Sequence, residues 1–528
     1  MMMFRPGVPQ KIQPWIHLLF AICFQFTGGV YLSQLSQMMG SRSWLREDVM
    51  MCAYCGFVGL IMPFPVLFRL KFRFTNRQML LTASLTIALC NLLALHVTSL
   101  PVLCALCYLA GFMKLWGTFE CFSNIQLWMT PSRDFAVFFP ILYMIVIGDI
   151  QFSGFITTHI AYVADWQAVH YFVSGVLLVL ALTVWLLTHD FRFMKPLPLY
   201  GMDWLGMALW SAALMETLFV FNYGEYYNWL DGPPIRAATL LATVTFLMAV
   251  NRMIHIRHPF IEAATWRYDN VVPVLLLFLA SDILLSPGQV LRGAISGQLG
   301  YDVLTRISFN VWTLLGIAGG CVFSHLWMCV ARSSYMRLLV WSFAPLVLSS
   351  VWMYFFTAPG MNSELLRLPC VCEGFGQAVL FVALTIYLEE KMELMHFFQG
   401  LCVIGMVRTG LASAIGSSIY AYGLRHLHLD NLCRLSAHFD AAGVSLSGLS
   451  VEALAAEVNR QAVWMSIRQL YGWTALAGVA LVLVLALFDT PVRSTLKRMP
   501  DFVKVGRRMS RRILASRHAR QQLAQGRE

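Results

Sequence analysis

Charged side chains interrupt several of the most apolar stretches of this sequence, and they are its first candidates for chemistry. A charge at the centre of a bilayer costs about 3 kcal/mol or more, so such residues usually mark an ion, proton or substrate route. For any single residue the alternatives are a structural ion pair between helices or a position at a helix end. The whole set indicates helices that line a polar cavity. Its members are Lys114, Glu120, Asp149, Glu216, Asp282, Glu373 and Arg408.

The acids of this set are candidates for carrying protons. An unpaired carboxylate is costly inside a bilayer and gains from taking up a proton. Glu120, Asp149, Asp282 and Glu373 could each do so. We expect at least one of Asp149, Asp282 and Glu373 to be protonated and released during a functional cycle.

Arg408 is expected to be the most function-sensitive cation, because an arginine keeps its proton and must keep a partner. It lies in the middle of a long apolar stretch, too deep for its side chain to reach the interface. Glu373 is the first candidate partner and Asp282 the second. Gly405, Gly410 and Gly416 would let a neighbouring helix approach closely.

Uncharged polar residues inside apolar stretches are candidates for lining a substrate route. They are Gln25, Gln34, Asn124, Gln126, Gln151, Gln289 and Gln377. Abundant aromatic and methionine side chains suit an adaptable apolar pocket. The same residue types also pack helices and face lipid, so their number alone does not decide between these roles.

Metal binding and redox chemistry have weaker support. Cys52/Cys55 and Cys104/Cys107 have CxxC spacing, but both pairs lie within apolar stretches, and no loop supplies further ligands. Structural thiols are therefore favoured over a metal or redox site. His426, His428 and His438 lack a firm ligand spacing. The chain has no Walker A loop, HExxH or GxSxG motif, so we expect no cofactor, no metal and no enzyme activity.

The composition of the chain indicates that membrane-spanning helices position these residues. The 528-residue chain is 58% hydrophobic and 12% charged, about half the charge of soluble domains, and its mean hydropathy is +0.66. Apolar runs of about 20 residues match membrane-spanning helices rather than the alternating strands of a barrel. The net charge of +11 lies largely in the C-terminal tail, so it indicates topology and lipid contact rather than nucleic acid.

The apolar runs predict fourteen membrane spans in an all-α polytopic protein. Arg69, Lys71, Arg73 and Arg77, and the basic tail, fall on the side of the termini, which the positive-inside rule makes cytoplasmic. Residues 424–464 should then be external and partly helical. The tail should form a basic helix on the inner membrane surface, or simply act as a solubilising tail. The spans lie near 15–37, 48–68, 79–98, 101–129, 135–163, 168–188, 202–223, 233–254, 270–291, 304–330, 335–357, 367–388, 394–422 and 465–488.

Three stretches resemble the EmrB/QacA-type, fourteen-helix drug:proton antiporters of the major facilitator superfamily. They are DWLGMALWSAALMETLFVFNYGEYYNW (203–229), RHPFIEAATWRYDNVV (257–272) and VRTGLASAIGSSIYAYGLRH (407–426). The late segment NRQAVWMSIRQLYG (459–472) resembles the family's entry to helix fourteen. The chain departs from the family pattern at four places. The second loop lacks the family's Asp, and Met113 stands where the family has an Arg. The Pro-Gly motif of helix five is reduced, and Gln25 lies where the family often has an acid.

The resemblance implies a major facilitator fold. Residues 1–200 would form one six-helix bundle, 201–262 two inserted helices, 263–490 a second bundle with the 424–464 loop, and 491–528 the cytoplasmic tail. It implies a multi-pass inner-membrane protein that exports amphipathic molecules or drugs by proton antiport. Family members often work with a periplasmic adaptor and an outer-membrane channel. The alternatives are a transporter of a defined solute with different coupling, and a transport-inactive receptor or scaffold.

Overall fold

The computed structural model describes residues 3–27, 35–130, 135–192, 196, 198–331, 335–437 and 450–487. Within these ranges thirteen helices are long and apolar enough to cross a membrane. They are Arg46–Arg73, Asn76–His96, Leu100–Met129, Phe135–Val163, Trp166–Leu187, Trp204–Tyr223, Pro233–His255, Val271–Gln298, Val303–Cys329, Arg337–Phe356, Ser363–Lys391, Leu394–Ser436 and Val451–Ala486. We number these helices span 2 to span 14.

The helix that begins the predicted first span is Gln13–Phe26, and we call it span 1. A second helix, Leu35–Arg42, follows residues 28–34, which lie outside the described ranges. With span 1 the helices match the predicted fourteen, one for one and in the predicted order. Because successive spans alternate in direction, the ends near Gln13, Arg73 and Lys391 share one face. We call it the N-terminal face, and the other the opposite face.

Two six-helix bundles account for twelve of the spans. Spans 1 to 6 pack together, with span 4 against spans 1, 2 and 3 and span 3 against span 6. Spans 9 to 14 form the second bundle, with span 12 against spans 10 and 11, and span 13 against spans 9 and 14. The bundles meet where span 5 packs on spans 10 and 12, and where span 2 packs on span 13.

Spans 7 and 8 pair with each other at the seam between the bundles, and span 7 also contacts spans 2 and 13. Asp203 caps span 7 by accepting the Gly206 backbone N–H at 2.9 Å. The same carboxylate accepts Arg252 Nε of span 8 at 2.8 Å and the Phe260 backbone N–H at 3.2 Å. Asp203, the first residue of the stretch DWLG, thus joins spans 7 and 8, the inserted pair, to the loop that follows them.

The segment 424–464, predicted to be external and partly helical, is helical through Ser436 and again from Val451. Span 13 continues to Ser436 and span 14 begins at Val451, and residues 438–449 between them lie outside the described ranges. The two extensions pack together: Asn431 Nδ2 donates to Ser466 Oγ at 2.9 Å, and His428 contacts Asn459 at 2.8 Å. The predicted basic tail, 491–528, and His438 also lie outside the described residues.

Candidate transport site

The first bundle holds a buried polar cluster made from spans 1, 4 and 5. Lys114 Nζ donates to the Gln25 backbone carbonyl at 2.8 Å, and Gln25 Nε2 donates to Thr118 Oγ1 at 3.2 Å. Lys114 also interacts electrostatically with Asp149. The structure thereby brings together the predicted residues Gln25, Lys114 and Asp149, all of which are buried.

This cluster lies deep in the bundle. Lys114 is 14 residues past the helix start at Leu100, and Asp149 is 14 residues past Phe135. At a rise of 1.5 Å per residue that is about 21 Å from a helix end. Asp149 Oδ2 is buried and has no hydrogen-bond partner in the structure. An acid in this position is free to exchange a proton without breaking a direct hydrogen bond at that oxygen.

Glu120 belongs to a separate ion pair nearer the N-terminal face. Its carboxylate lies 3.5 Å from Lys71 Nζ and accepts a hydrogen bond from Asn124 Nδ2 at 3.0 Å. Lys71 also lies near the Phe119 ring, 5.6 Å from its centroid. Lys114 and Glu120, six residues apart on one helix, therefore find different partners, as their spacing predicts. Glu120 has the environment of a structural ion-pair residue.

The second bundle holds its own deep pair, formed by Arg408 of span 13 and Asp282 of span 9. Arg408 Nε lies 3.8 Å from Asp282 Oδ2, and the guanidinium carbon lies 3.7 Å from the centroid of the Phe381 ring. Neither Arg408 Nε nor Asp282 Oδ2 has a hydrogen-bond partner in the structure. In a salt bridge of this length, Arg408 can still donate a hydrogen bond to a polar substrate group or water, and Asp282 can still accept one.

Arg408 lies inside the membrane helix, 14 residues beyond Leu394, and therefore not at its edge. It is part of a π-helical turn, Met406–Ala412, an irregularity that is frequent at functional sites. The glycines around it permit close approach, as predicted. A Cβ on Gly405 would lie 2.9 Å from Ile61 of span 2, and one on Gly416 would lie 2.0 Å from Ser286 Oγ of span 9.

The prediction that Glu373 is the first candidate partner of Arg408 is wrong. Glu373 forms a salt bridge with Arg292 of span 9 and accepts a hydrogen bond from Ser349 Oγ at 3.1 Å. Arg292 was missed because span 9 was predicted to end near residue 291, whereas its helix runs to Gln298. The sequence signal that could have identified Arg292 is the stretch LRGAISGQ, 291–298, which continues the helix although its hydropathy falls.

Glu216 and Gln377 lie apart from the deep pairs, and Gln34 lies outside the described residues. Glu216 of span 7 accepts a hydrogen bond from Thr245 Oγ1 of span 8 at 2.5 Å, so it belongs to the inserted pair. Gln377 is half-buried on span 12, one helical turn after Glu373 and on the same side of the helix.

Aromatic side chains join the bundles in the half of the molecule nearer the N-terminal face. The Phe398 ring of span 13 packs edge-on against Phe68 of span 2, with 4.6 Å between ring centroids. The Tyr143 hydroxyl of span 5 lies 2.6 Å from Thr385 Oγ1 of span 12. The sequence analysis did not single out these contacts. They must break if a cavity between the bundles is to open toward this face.

Within the described part of the chain, no group of three or more His, Cys, Asp or Glu side chains is arranged to hold a metal ion. His428 instead hydrogen-bonds Asn459. The polar features of the site are thus ion pairs, amides and hydroxyls placed on helices.

No protein-family profile matches this sequence, and no curated protein is significantly similar to it in sequence. Solved structures share its fold. The nucleoside transporter NupG matches with a TM-score of 0.50 and 10% identity, over 88% of this chain and 98% of its own. The POT family transporter PepTSo matches with a TM-score of 0.50 and 13% identity, over 92% of this chain and all of its own (100%).

Identities this low concern the fold alone. The protein is an all-helical, multi-pass membrane protein of the major facilitator fold, with two six-helix bundles and an inserted helix pair. The proteins with which it shares this fold are transporters rather than enzymes.

Proposed function

We propose that this protein is a secondary active transporter that moves a small molecule by alternating access. The observation that carries the proposal is a deep, buried cation and carboxylate in each bundle: Lys114 and Asp149 in the first, and Arg408 and Asp282, 3.8 Å apart, in the second. Buried charges at this depth are expensive, and two such pairs on facing bundles suit a site where a substrate exchanges with water. Rocking of the bundles would expose the site to each face in turn.

Proton coupling through Asp149 and Asp282 is the second part of the proposal. Each has a buried carboxylate oxygen without a hydrogen-bond partner, and the contact of Asp282 with Arg408 is long, at 3.8 Å. Protonation of either acid would leave its cation free to bind an anionic or electron-rich substrate group. Glu373 is not included, because Arg292 and Ser349 hold its carboxylate in place.

Export of amphipathic molecules is favoured by the surroundings of Arg408. Phe381 supports its guanidinium, and Tyr143 packs on the Phe381 ring with 5.1 Å between centroids. A site that offers one charge beside aromatic faces suits compounds that combine a polar group with an apolar body. This agrees with the resemblance to EmrB/QacA-type antiporters. That resemblance implies the rest of the proposal: an inner-membrane location, cytoplasmic termini, and a periplasmic adaptor with an outer-membrane channel.

A defined solute with different coupling is the second candidate. The observation that favours it is the use of Gln25 and Lys114, with no acid on span 1, where the antiporter family often carries one. A receptor or scaffold that has lost transport would not need two deep charge pairs.

The test is transport in proteoliposomes under an imposed pH gradient, with a panel of amphipathic dyes and of polar solutes. Substrates would first be nominated by a resistance screen in an efflux-deficient host. Arg408→Ala should abolish movement, whereas Arg425→Ala, on the same span but exposed and paired with Glu225, should not. Movement of polar solutes alone would select the second candidate. A folded protein that moves no compound in either panel would support the scaffold and refute transport.

A further inference from the structure

The two CxxC pairs, which the proposed function does not use, meet in space. Cys52 and Cys55 of span 2 pack in one buried cluster with Cys107 of span 4, and Cys104 of span 4 packs against that cluster. All four are free thiols. Four thiols from two helices therefore form one cluster, which the sequence could not show because it does not reveal which helices are neighbours.

Glycines explain why the thiols come so close. A Cβ on Gly59 would lie 2.0 Å from the Tyr108 carbonyl oxygen, and one on Gly111 would lie 2.1 Å from the Gly56 carbonyl oxygen. Spans 2 and 4 are thus in backbone contact, well inside the usual axis separation of about 8–10 Å. Cys55 and Cys107 lie at this contact, next in sequence to Gly56 and Tyr108, and Cys52 and Cys104 lie about one turn further toward the opposite face. A disulfide needs two Cα atoms about 4.4–6.8 Å apart, which requires helices that approach as closely as these two do.

A small cavity gives access to the cluster. It has a volume of about 80 Å³, and Cys52, Cys107 and Cys90 of span 3 line it together with Lys114. The thiols lie in the first turns of their helices, because Cys52 is six residues past Arg46 and Cys104 is four past Leu100. Both helix ends belong to the opposite face. The charge bias of the loops predicts that this face is external, where disulfides form and persist.

We propose that Cys52, Cys55, Cys104 and Cys107 are an oxidation site at which disulfide bonds join span 2 to span 4. Two bonds can form at once when each thiol of span 2 joins a different thiol of span 4. Each bond removes two protons and two electrons from two thiols. The electrons pass to a disulfide or diazene oxidant, which becomes two thiols or a hydrazine. A resident metal is not proposed, since the described residues contain no metal-holding arrangement.

The consequence is a covalent tie across the half of the first bundle that faces the opposite side. Cys107 and Lys114 are seven residues apart, two helical turns, and line the same cavity. The tie would hold span 4 against span 2 beside the Lys114–Asp149 pair. Oxidised protein should therefore unfold at a higher temperature than reduced protein.

The test uses the full-length protein in membranes, treated with the diazene oxidant diamide or with dithiothreitol. Remaining thiols are then blocked with N-ethylmaleimide, and the protein is digested and analysed by mass spectrometry without reduction. Diamide should give peptides of span 2 joined to peptides of span 4, lost again on reduction, together with a higher Tm. The readout needs no transport, so it stands or falls separately from the proposed function.

Serine variants keep the test independent of folding. Cys52→Ser with Cys55→Ser should remove every link between the spans and the Tm difference, while Cys321→Ser and Cys402→Ser, at equally buried sites on spans 10 and 13, should leave both unchanged. Four thiols that stay fully alkylated after diamide would overturn the proposal. So would bonds that join only Cys104 to Cys107 within span 4.

Discussion

Arg408 lies with its guanidinium 3.7 Å from the centroid of the Phe381 ring and its Nε 3.8 Å from Asp282 Oδ2. One cation therefore joins spans 9, 12 and 13 of the second bundle at mid-depth. The ring contact is worth about 0.5–2 kcal/mol. The ion pair is long, so Arg408 is held in position by the ring while its charge stays available. This arrangement makes Arg408 the most informative cation to replace.

We expect Arg408→Ala to abolish transport while the protein still inserts into the membrane. The loss follows because the buried carboxylate of Asp282 would have no cation beside it, and the ring of Phe381 would lose its charged partner. Arg408→Lys should restore only part of the rate, because an ammonium lacks the planar surface that stacks on the ring. Initial rates in proteoliposomes, normalised to membrane abundance, provide the measurement. Wild-type rates in Arg408→Ala would show that the residue is peripheral.

The acids provide the second prediction. Asp149→Asn or Asp282→Asn should flatten the pH dependence of net transport, because an amide cannot carry the proton. Exchange of labelled for unlabelled substrate, which needs no net proton movement, should persist. The measurement is transport rate against pH in proteoliposomes. Glu216→Gln is the matched control, since its carboxyl lies in the inserted pair and bonds Thr245. Unchanged pH profiles in both aspartate variants would rule out coupling through these residues.

The helices could be predicted from the sequence, but the pairing of their charges could not. Apolar runs locate spans because only a helix satisfies its backbone within a bilayer, and this placed Arg408 correctly at mid-depth. The choice between Asp282 and Glu373 depends on the rotation of spans 9 and 12, which no single-sequence pattern encodes. The sequence analysis did not identify Arg292 because the end of span 9 was placed too early. Arg292 lies in the last two turns of span 9, where polar and small residues lower the hydropathy although the helix continues.

Gly288 offers a test of the Arg292–Glu373 pair. A Cβ at this position would lie 2.6 Å from Glu373 Oε2 and 2.7 Å from Arg292 Nη2. Gly288→Ala should therefore push the pair apart and destabilise the protein by about 1–3 kcal/mol, visible as a lower Tm in detergent.

The control for Gly288 lies on the same helix. A Cβ on Gly293 would meet no neighbouring atom within 4 Å, so Gly293→Ala should be neutral or stabilising by about 0.5–1 kcal/mol. Equal Tm values for Gly288→Ala and wild type would show that the ion pair relaxes without loss and that Gly288 is not needed for it.

Cys433 gives a test of orientation without an engineered site. Of the chain's 13 cysteines, all within the described residues, Cys433 alone is exposed. It lies near the end of span 13 on the opposite face, in the extension that packs on span 14. The concentration of Lys and Arg on the side of the termini predicts that this face is external. A membrane-impermeant maleimide added to spheroplasts should therefore label Cys433, and Cys433→Ser should abolish the signal. Labelling that requires disrupted membranes would place this face in the cytoplasm and reverse the orientation of all fourteen spans. It would also contradict the external location on which the oxidation of Cys52 and its neighbours depends.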